Sequence, residues 1–136
     1  MKKLLFIMAV SIALFATSCQ KGPGEGGKSK ITGKVNTENY NTLNNMSDTY
    51  VLKSEYPATD KDVYLVFGDD ISYGMKTKTN PDGQFEFDYM RAGDYTIYVE
   101  SKDTTRTSIS GITTMHKTIS LGKKETGDAG TIVIYN

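Results

Sequence analysis

Short runs of alternating apolar and polar residues constrain the fold of this chain more than any other feature. In the clearest run, at residues 84–89, Phe85, Phe87 and Tyr89 are separated by single polar residues. A period of two sends successive side chains to opposite faces of a β-strand. Comparable runs, separated by turn residues, lie at residues 31–35, 62–67, 72–79, 95–100, 118–121 and 132–135.

These runs predict about seven strands, each with one apolar face. Such strands bury their apolar faces most simply as two antiparallel sheets packed face to face. We therefore predict an all-β fold, a seven-stranded antiparallel β-sandwich.

The connections between these runs also carry predictions. Asn80-Pro81-Asp82-Gly83 predicts a hairpin turn, because proline fixes φ and glycine accepts positive φ. Residues 36–60 are long for a loop, so we expect a short extra strand or a packed turn within them. Residues 101–114 are rich in Ser and Thr, and we expect a mobile connection there.

The N-terminal residues form a segment of different character. Lys2 and Lys3 are followed by an almost entirely apolar stretch at residues 4–15. Three small residues, Ala16-Thr17-Ser18, then lead into Cys19, the single cysteine of the chain. Secretory signals combine a basic start, an apolar middle and small residues in this order. An apolar stretch of about 12 residues is too short to cross a bilayer core of roughly 30 Å.

This arrangement resembles the lipobox of bacterial lipoproteins. The resemblance implies cleavage before Cys19, a thioether-linked diacylglycerol on its sulfur, and usually a third acyl chain, such as palmitate, on the new amino group. Two or more acyl chains anchor a protein stably to a membrane. We therefore expect a lipoprotein signal peptide at residues 1–18, a lipidated Cys19 with a flexible Gly-rich tether at residues 19–30, and the β-sandwich at residues 31–136.

Composition narrows the range of partners. Without Lys2 and Lys3 the chain carries 14 basic and 16 acidic residues, so it has no basic excess for nucleic acid. No cysteine follows Cys19, which excludes a disulfide framework and a cysteine-based metal site in the domain.

The middle of the chain carries a second resemblance. Residues 76–100 combine a Thr-rich strand, an Asp-Gly turn, a Phe-x-Phe strand and Gly93-Asp94-Tyr95-Thr96-Ile97-Tyr98-Val99. This pattern resembles carboxypeptidase-regulatory-like and collagen-adhesin B-type domains, whose first strand is matched by residues 31–35. The resemblance covers most of residues 31–100 and implies a transthyretin-like β-sandwich. The combination of this pattern with the lipobox is similar to that of small Bacteroidota lipoproteins. That resemblance implies the cell envelope and its outer membrane as the location, on either the periplasmic or the cell-surface face.

The sequence lacks the residues that carry the known reactions of adhesin B-type and transthyretin-like domains. Adhesin B-type domains often form a Lys–Asn bond beside a buried carboxylate, but Lys34 faces outward, Asn136 is the last residue, and residues 63–67 carry no acid. Hydroxyisourate hydrolases end in Tyr-Arg-Gly-Ser, whereas this chain ends in Ile-Tyr-Asn. His116 is the only histidine, and nothing in the sequence places a nucleophile beside it. We expect no enzymatic activity.

Acidic loops and two tyrosines are the remaining candidate sites. Asp69, Asp70 and Asp82 lie in loops of the kind that supply oxygen ligands to Ca²⁺. Hydrogen bonding within turns also explains them, and we favour that interpretation, with no metal or other cofactor. Tyr64 and Tyr98 fall on strand faces opposite the apolar runs. An exposed pair of this kind stacks against sugar rings or marks a protein interface, although strand propensity also explains it.

These observations predict a non-catalytic, membrane-anchored lipoprotein of the cell envelope that acts as a structural or protein-interaction module. The alternative is a glycan- or peptide-binding accessory module of an outer-membrane uptake system. The membrane is the predicted partner through the lipid on Cys19, and an envelope protein or a glycan is the predicted partner of the domain.

Overall fold

A computed structural model describes residues 21–41 and 51–136. Cys19 and the predicted signal peptide lie outside the described residues. Within the two ranges, the regular elements are eight β-strands: β1 (Glu25–Asn41), β2 (Val51–Pro57), β3 (Asp62–Phe67), β4 (Met75–Lys78), β5 (Gln84–Met90), β6 (Gly93–Lys102), β7 (Ile112–Leu121) and β8 (Thr126–Tyr135). A search of the same residues finds no helix with the length and apolarity that crossing a membrane requires.

The strands form two four-stranded sheets. In the first sheet, β1 pairs with β5 along its first half, with β2 along its second half, and with β8 on its other side. The second sheet has the order β4-β3-β6-β7. Every pairing is antiparallel except that of β1 with β8, which is parallel. The predicted all-β sandwich is confirmed, with eight strands instead of seven.

Apolar side chains from both sheets meet in one core. The inward alternation predicted from the sequence holds on β3, β6, β8 and the first part of β5, where the predicted inward side chains are buried or, for Phe67, partly buried. Full burial of a valine, leucine, isoleucine, phenylalanine or methionine side chain stabilises a fold by about 1.5–3 kcal/mol. The core consists of Ile31, Val35, Ala58, Val63, Leu65, Phe85, Phe87, Met90, Tyr95, Ile97, Val99, Leu121, Ile132 and Ile134.

The alternation fails at the end of β5. Tyr89, predicted on the apolar face, is 76% exposed, whereas the next residue, Met90, is fully buried. Tyr89 has a positive φ of 58°, and the pairing of β1 with β5 changes register at Met90. An irregularity of this kind shifts the alternation by one residue and exchanges the two faces of the strand.

The tether prediction is wrong for residues 25–30, which belong to β1. Ser29 is buried there; its hydroxyl donates to the Gly122 carbonyl at 2.7 Å and accepts from the Glu125 amide at 3.1 Å. A Cβ on Gly27 would lie 1.9 Å from the Met90 carbonyl oxygen. Glycine therefore serves here to bring two backbones close together, whereas the composition indicated only flexibility.

Other boundaries differ less. The weak strand predicted at residues 72–79 is shortened to β4, and β2 is the extra strand predicted within residues 36–60. The connection predicted at residues 101–114 is reduced to residues 103–111, because β6 and β7 both extend into it. Backbone pairing with a neighbour continues these strands past the point where their apolar alternation ends.

The turn at residues 80–83 forms as the residue types predict, but it does not close a hairpin. The Gly83 amide donates to the Asn80 carbonyl at 2.9 Å, and Gly83 has a φ of 76°. The strands on either side, β4 and β5, belong to different sheets. The hairpin prediction is therefore wrong, because a turn sequence specifies a reversal of the chain without specifying which strands pair.

Candidate functional site

Four side chains in register cross the outer face of the second sheet. Lys76 on β4 is the register partner of Tyr64 on β3, Tyr64 is that of Tyr98 on β6, and Tyr98 is that of His116 on β7. We call these four residues the tyrosine row. Its two tyrosines are half-buried, and Lys76 and His116 at its ends are exposed.

The two tyrosine rings of the row stack on each other. Their centroids lie 4.8 Å apart with an interplanar angle of 10°, which matches the spacing of neighbouring strands. Tyr73, from the β3–β4 loop, is 48% exposed, and its ring meets Tyr64 at 4.9 Å with a tilt of 60°. The predicted pair is thus a cluster of three tyrosines, in which one ring face of Tyr64 is covered by Tyr98.

The charges around the cluster are arranged about Tyr64. The Lys76 ammonium lies 5.9 Å from the centre of the Tyr64 ring and 3.6 Å from Asp62 Oδ2. Burial raises the pKa of Tyr98 above its ordinary value, and the neighbouring tyrosines raise it further. Like an ordinary tyrosine, Tyr98 keeps its hydroxyl proton at neutral pH and can donate a hydrogen bond.

The surroundings of the row differ on its two sides, with the carboxylates of Asp62 and Glu100 on one side and uncharged residues on the other. Val66, Thr96 and Thr118 form the next register row on the uncharged side of the tyrosine row. Asp62 Oδ1 is a buried acceptor without a hydrogen-bond partner among the described residues. Aromatic rings edged by hydroxyl groups are typical of surfaces that bind other molecules.

The other residues singled out in the sequence do not form a site together. Asp69 and Asp70 lie on the β3–β4 loop and Asp82 on the β4–β5 turn, at opposite ends of β4. Among the described residues, no three His, Cys, Asp or Glu side chains are grouped so that they could hold a metal ion. His116 pairs in register with Tyr98, and no described hydrogen bond or ion pair links its side chain to a serine or a carboxylate.

Two clefts open elsewhere on the described surface. One, of about 550 Å³, is lined mainly by small polar residues together with Lys34, Lys78, Glu86 and Asp128. Its mixture of charges does not indicate one class of ligand. The second, of about 690 Å³, lies where the chain enters the sandwich and has five basic residues in its lining.

Sequence reasoning found Tyr64 and Tyr98 but missed Tyr73. The period of two places Tyr64 and Tyr98 on outer faces, and cross-strand pairing then brings them together. Tyr73 lies in a loop, where no period applies, and only the path of residues 68–74 carries its ring to Tyr64.

Comparison with known proteins leaves the family open. No protein-family model matches the chain, and no curated protein is significantly similar to it. Among solved structures, it resembles a Pseudomonas aeruginosa protein described as a "putative carbohydrate binding protein", with 15% identity and a TM-score of 0.47. The match covers 83% of this chain and 91% of the other.

Proposed function

We propose that this chain is a non-catalytic lipoprotein of the bacterial cell envelope that binds a partner protein through the outer face of its second sheet. The observation that carries the proposal is the tyrosine row with Tyr73 beside it. Tyrosine supplies a large apolar ring and a polar hydroxyl, and it is enriched where proteins meet. The lipid on Cys19, implied by the lipobox resemblance, would hold this surface at the membrane.

The ring geometry favours a protein over a glycan. A sugar ring stacks on a free aromatic face, but Tyr98 covers the Tyr64 face toward β6, and the Lys76 ammonium lies over the ring from the side of β4. On Tyr64, the ring edge and the hydroxyl remain for contact. No described hydrogen bond uses the hydroxyls of Tyr64, Tyr73 or Tyr98. A polypeptide provides both the apolar contacts and the backbone acceptors that this surface needs.

Site-specific photocrosslinking in cells tests the proposal. A photoreactive phenylalanine at Thr96, next to the row, is expected to give one discrete crosslinked protein. The same group at Glu86, exposed on the first sheet, is the matched control and should give none. Equal crosslinking from both positions would contradict a specific surface.

Substitution of the row then identifies the residues responsible. Tyr98→Ala should weaken binding of the crosslinked partner about 30-fold, the effect of a central aromatic contact. Tyr89→Ala, which removes a tyrosine that is 76% exposed on the first sheet, should leave binding unchanged. Thermal melting of each variant separates lost binding from lost folding. If an envelope polysaccharide binds instead and only Tyr73→Ala abolishes that binding, the glycan alternative replaces this proposal.

A further inference from the structure

A basic cleft lies at the end of the sandwich where the chain enters it. It has a volume of about 690 Å³ and lies between the start of β1, the β5–β6 turn and the β7–β8 turn. No acidic residue lines it. We call this cavity the basic cleft because five cationic residues line it: Lys21, Lys28, Arg91, Lys123 and Lys124.

The fold fixes these charges relative to one another. Arg91 Nε donates to the Gly22 carbonyl at 2.7 Å, and its Nη2 donates to the Pro23 carbonyl at 3.4 Å. These bonds hold the segment that carries Lys21 against the β5–β6 turn. None of the four described ion pairs includes a residue of the basic cleft. All four lysines are exposed, so their charges face solvent without a neutralising carboxylate at contact distance.

Acidic residues at the same end lie outside the cleft lining. The Glu125 carboxylate accepts a hydrogen bond from the Gly122 amide, within its own turn. Glu25, Asp69 and Asp94 are exposed at this end as well, but none of them lines the cleft. The cleft therefore concentrates five of the 14 basic residues that remain without Lys2 and Lys3, in a chain with 16 acidic residues.

We propose that the basic cleft docks on the anionic phospholipid headgroups of the membrane that holds the chain, an inference that rests on the proposed lipid anchor at Cys19. Lys21 is two residues from Cys19, a distance of at most about 7 Å along an extended chain. The anchor thus brings the cleft to the headgroup layer, where each lysine or arginine near the surface strengthens binding. The β7–β8 corner faces the lipid, and the tyrosine row on the side of the sandwich stays accessible.

Docking can be measured by the rate at which a chemical reagent acetylates each lysine of the lipidated protein bound to vesicles. We expect Lys21, Lys28, Lys123 and Lys124 to react at least about fivefold more slowly on vesicles containing phosphatidylglycerol than on pure phosphatidylcholine. Lys53, Lys102 and Lys117 are exposed elsewhere and are internal controls that should react equally on both. High salt should remove the protection, because it screens the attraction. Equal rates at the cleft lysines on both vesicles would overturn the docking proposal.

Charge-neutralising variants confirm which lysines act. Lys123→Gln with Lys124→Gln should lower the ratio of docked to undocked protein about 25-fold, from about fivefold for each lysine. Lys102→Gln with Lys117→Gln removes the same charge elsewhere and should have no effect. Unchanged protection of Lys21 and Lys28 in the first variant would contradict the proposal.

The failure of docking and the failure of the anchor are distinguishable. Flotation with neutral phosphatidylcholine vesicles depends on the lipid alone. A protein that does not float with these vesicles lacks the anchor, which would overturn the proposed function. A protein that floats with them but shows no lipid-dependent protection keeps its anchor and lacks the docking surface.

Discussion

The Tyr95 hydroxyl links the entry of the chain to the core. The ring is 1% exposed and meets Phe67 edge-on, with centroids 5.9 Å apart. Its hydroxyl accepts a hydrogen bond from the Gly24 amide at 2.8 Å and donates one to the Arg91 carbonyl at 2.7 Å. The Arg91 amide in turn donates to the Gly24 carbonyl at 2.8 Å. One side chain therefore joins the start of β1, the β5–β6 turn and β6.

Removing that hydroxyl should destabilise the fold. Tyr95→Phe keeps the ring but leaves the Gly24 amide and the Arg91 carbonyl without their partner. We expect the free energy of unfolding to fall by about 1–3 kcal/mol, the cost of leaving buried polar groups unpaired. Urea denaturation measures this, with Tyr89→Phe at an exposed position as the control. A Tyr95→Phe variant as stable as its control would show that these hydrogen bonds contribute nothing net.

At the scale of elements, the β6–β7 connection is organised by one carboxylate. Asp103 Oδ1 accepts hydrogen bonds from the Thr105 hydroxyl at 2.6 Å and the Thr105 amide at 2.8 Å. Asp103 Oδ2 accepts from the Ser108 amide at 2.6 Å. The Thr105 hydroxyl and then the Ser108 amide hold the pKa of the Asp103 carboxyl well below its ordinary value of 3.8. Residues 103–111, whose Ser- and Thr-rich composition predicted a mobile connection, are therefore held by hydrogen bonds to the Asp103 carboxylate.

This arrangement predicts a pH dependence. Because the pKa of Asp103 is lowered on folding, its carboxylate stabilises the native state above about pH 4, and this contribution is lost as the pH falls further. Asp103→Asn should therefore be less stable than the parent at pH 7, and the difference should shrink below about pH 4. Urea denaturation between pH 7 and pH 3 measures it.

Asp82→Asn, in the exposed β4–β5 turn, is the control and should follow the parent at each pH. If Asp103→Asn lowered stability by the same amount at pH 3 and pH 7, its ionised form would not be the stabilising one.

Strand β5 shows where the alternation of apolar residues stops predicting which side chains are buried. Phe85 and Phe87 alternate as buried residues, as predicted, but the irregularity at Tyr89 exchanges the faces. That irregularity arises because the start of β1, with Gly27, closes on the end of β5. The sequence of β5 alone does not contain it, since the cause lies about 60 residues earlier in the chain.

At the scale of the whole molecule, the candidate surfaces lie in separate places. The basic cleft is at the end where the chain enters, whereas the tyrosine row crosses the middle of the second sheet. A lipid anchor at Cys19 would place the first at the membrane and leave the second open to a partner. This separation would let one small domain hold both proposed partners at once.

The lipid anchor itself is tested by substitution of Cys19. Cys19→Ala should remove labelling by radioactive palmitate and give either an uncleaved precursor or a soluble protein, because the acceptor thiol is gone. Ser18→Ala keeps a small residue before the cysteine and should be labelled like the parent. Membrane fractionation and palmitate labelling of the three proteins check this. A parent that takes up no palmitate and fractionates like Cys19→Ala would contradict the anchor.

The sequence by itself determined most of the strands and, except at Tyr89, their inward faces. Alternation such as Val63 and Leu65, or Ile132 and Ile134, is a local property, so it specifies which side chains are buried before any pairing is known. It also placed Tyr64 and Tyr98 on outer faces and marked Cys19 as the predicted site of lipidation.

Only the tertiary structure decided which strands are neighbours. The three partners of β1, the parallel pairing with β8 and the crossing from β4 to β5 depend on contacts between distant parts of the chain. The stack of Tyr64 on Tyr98, the approach of Tyr73 and the assembly of the basic cleft from three segments follow from those pairings. The physical reason is that a period or a turn motif fixes the direction of a side chain locally, whereas a site requires side chains from separate segments to meet.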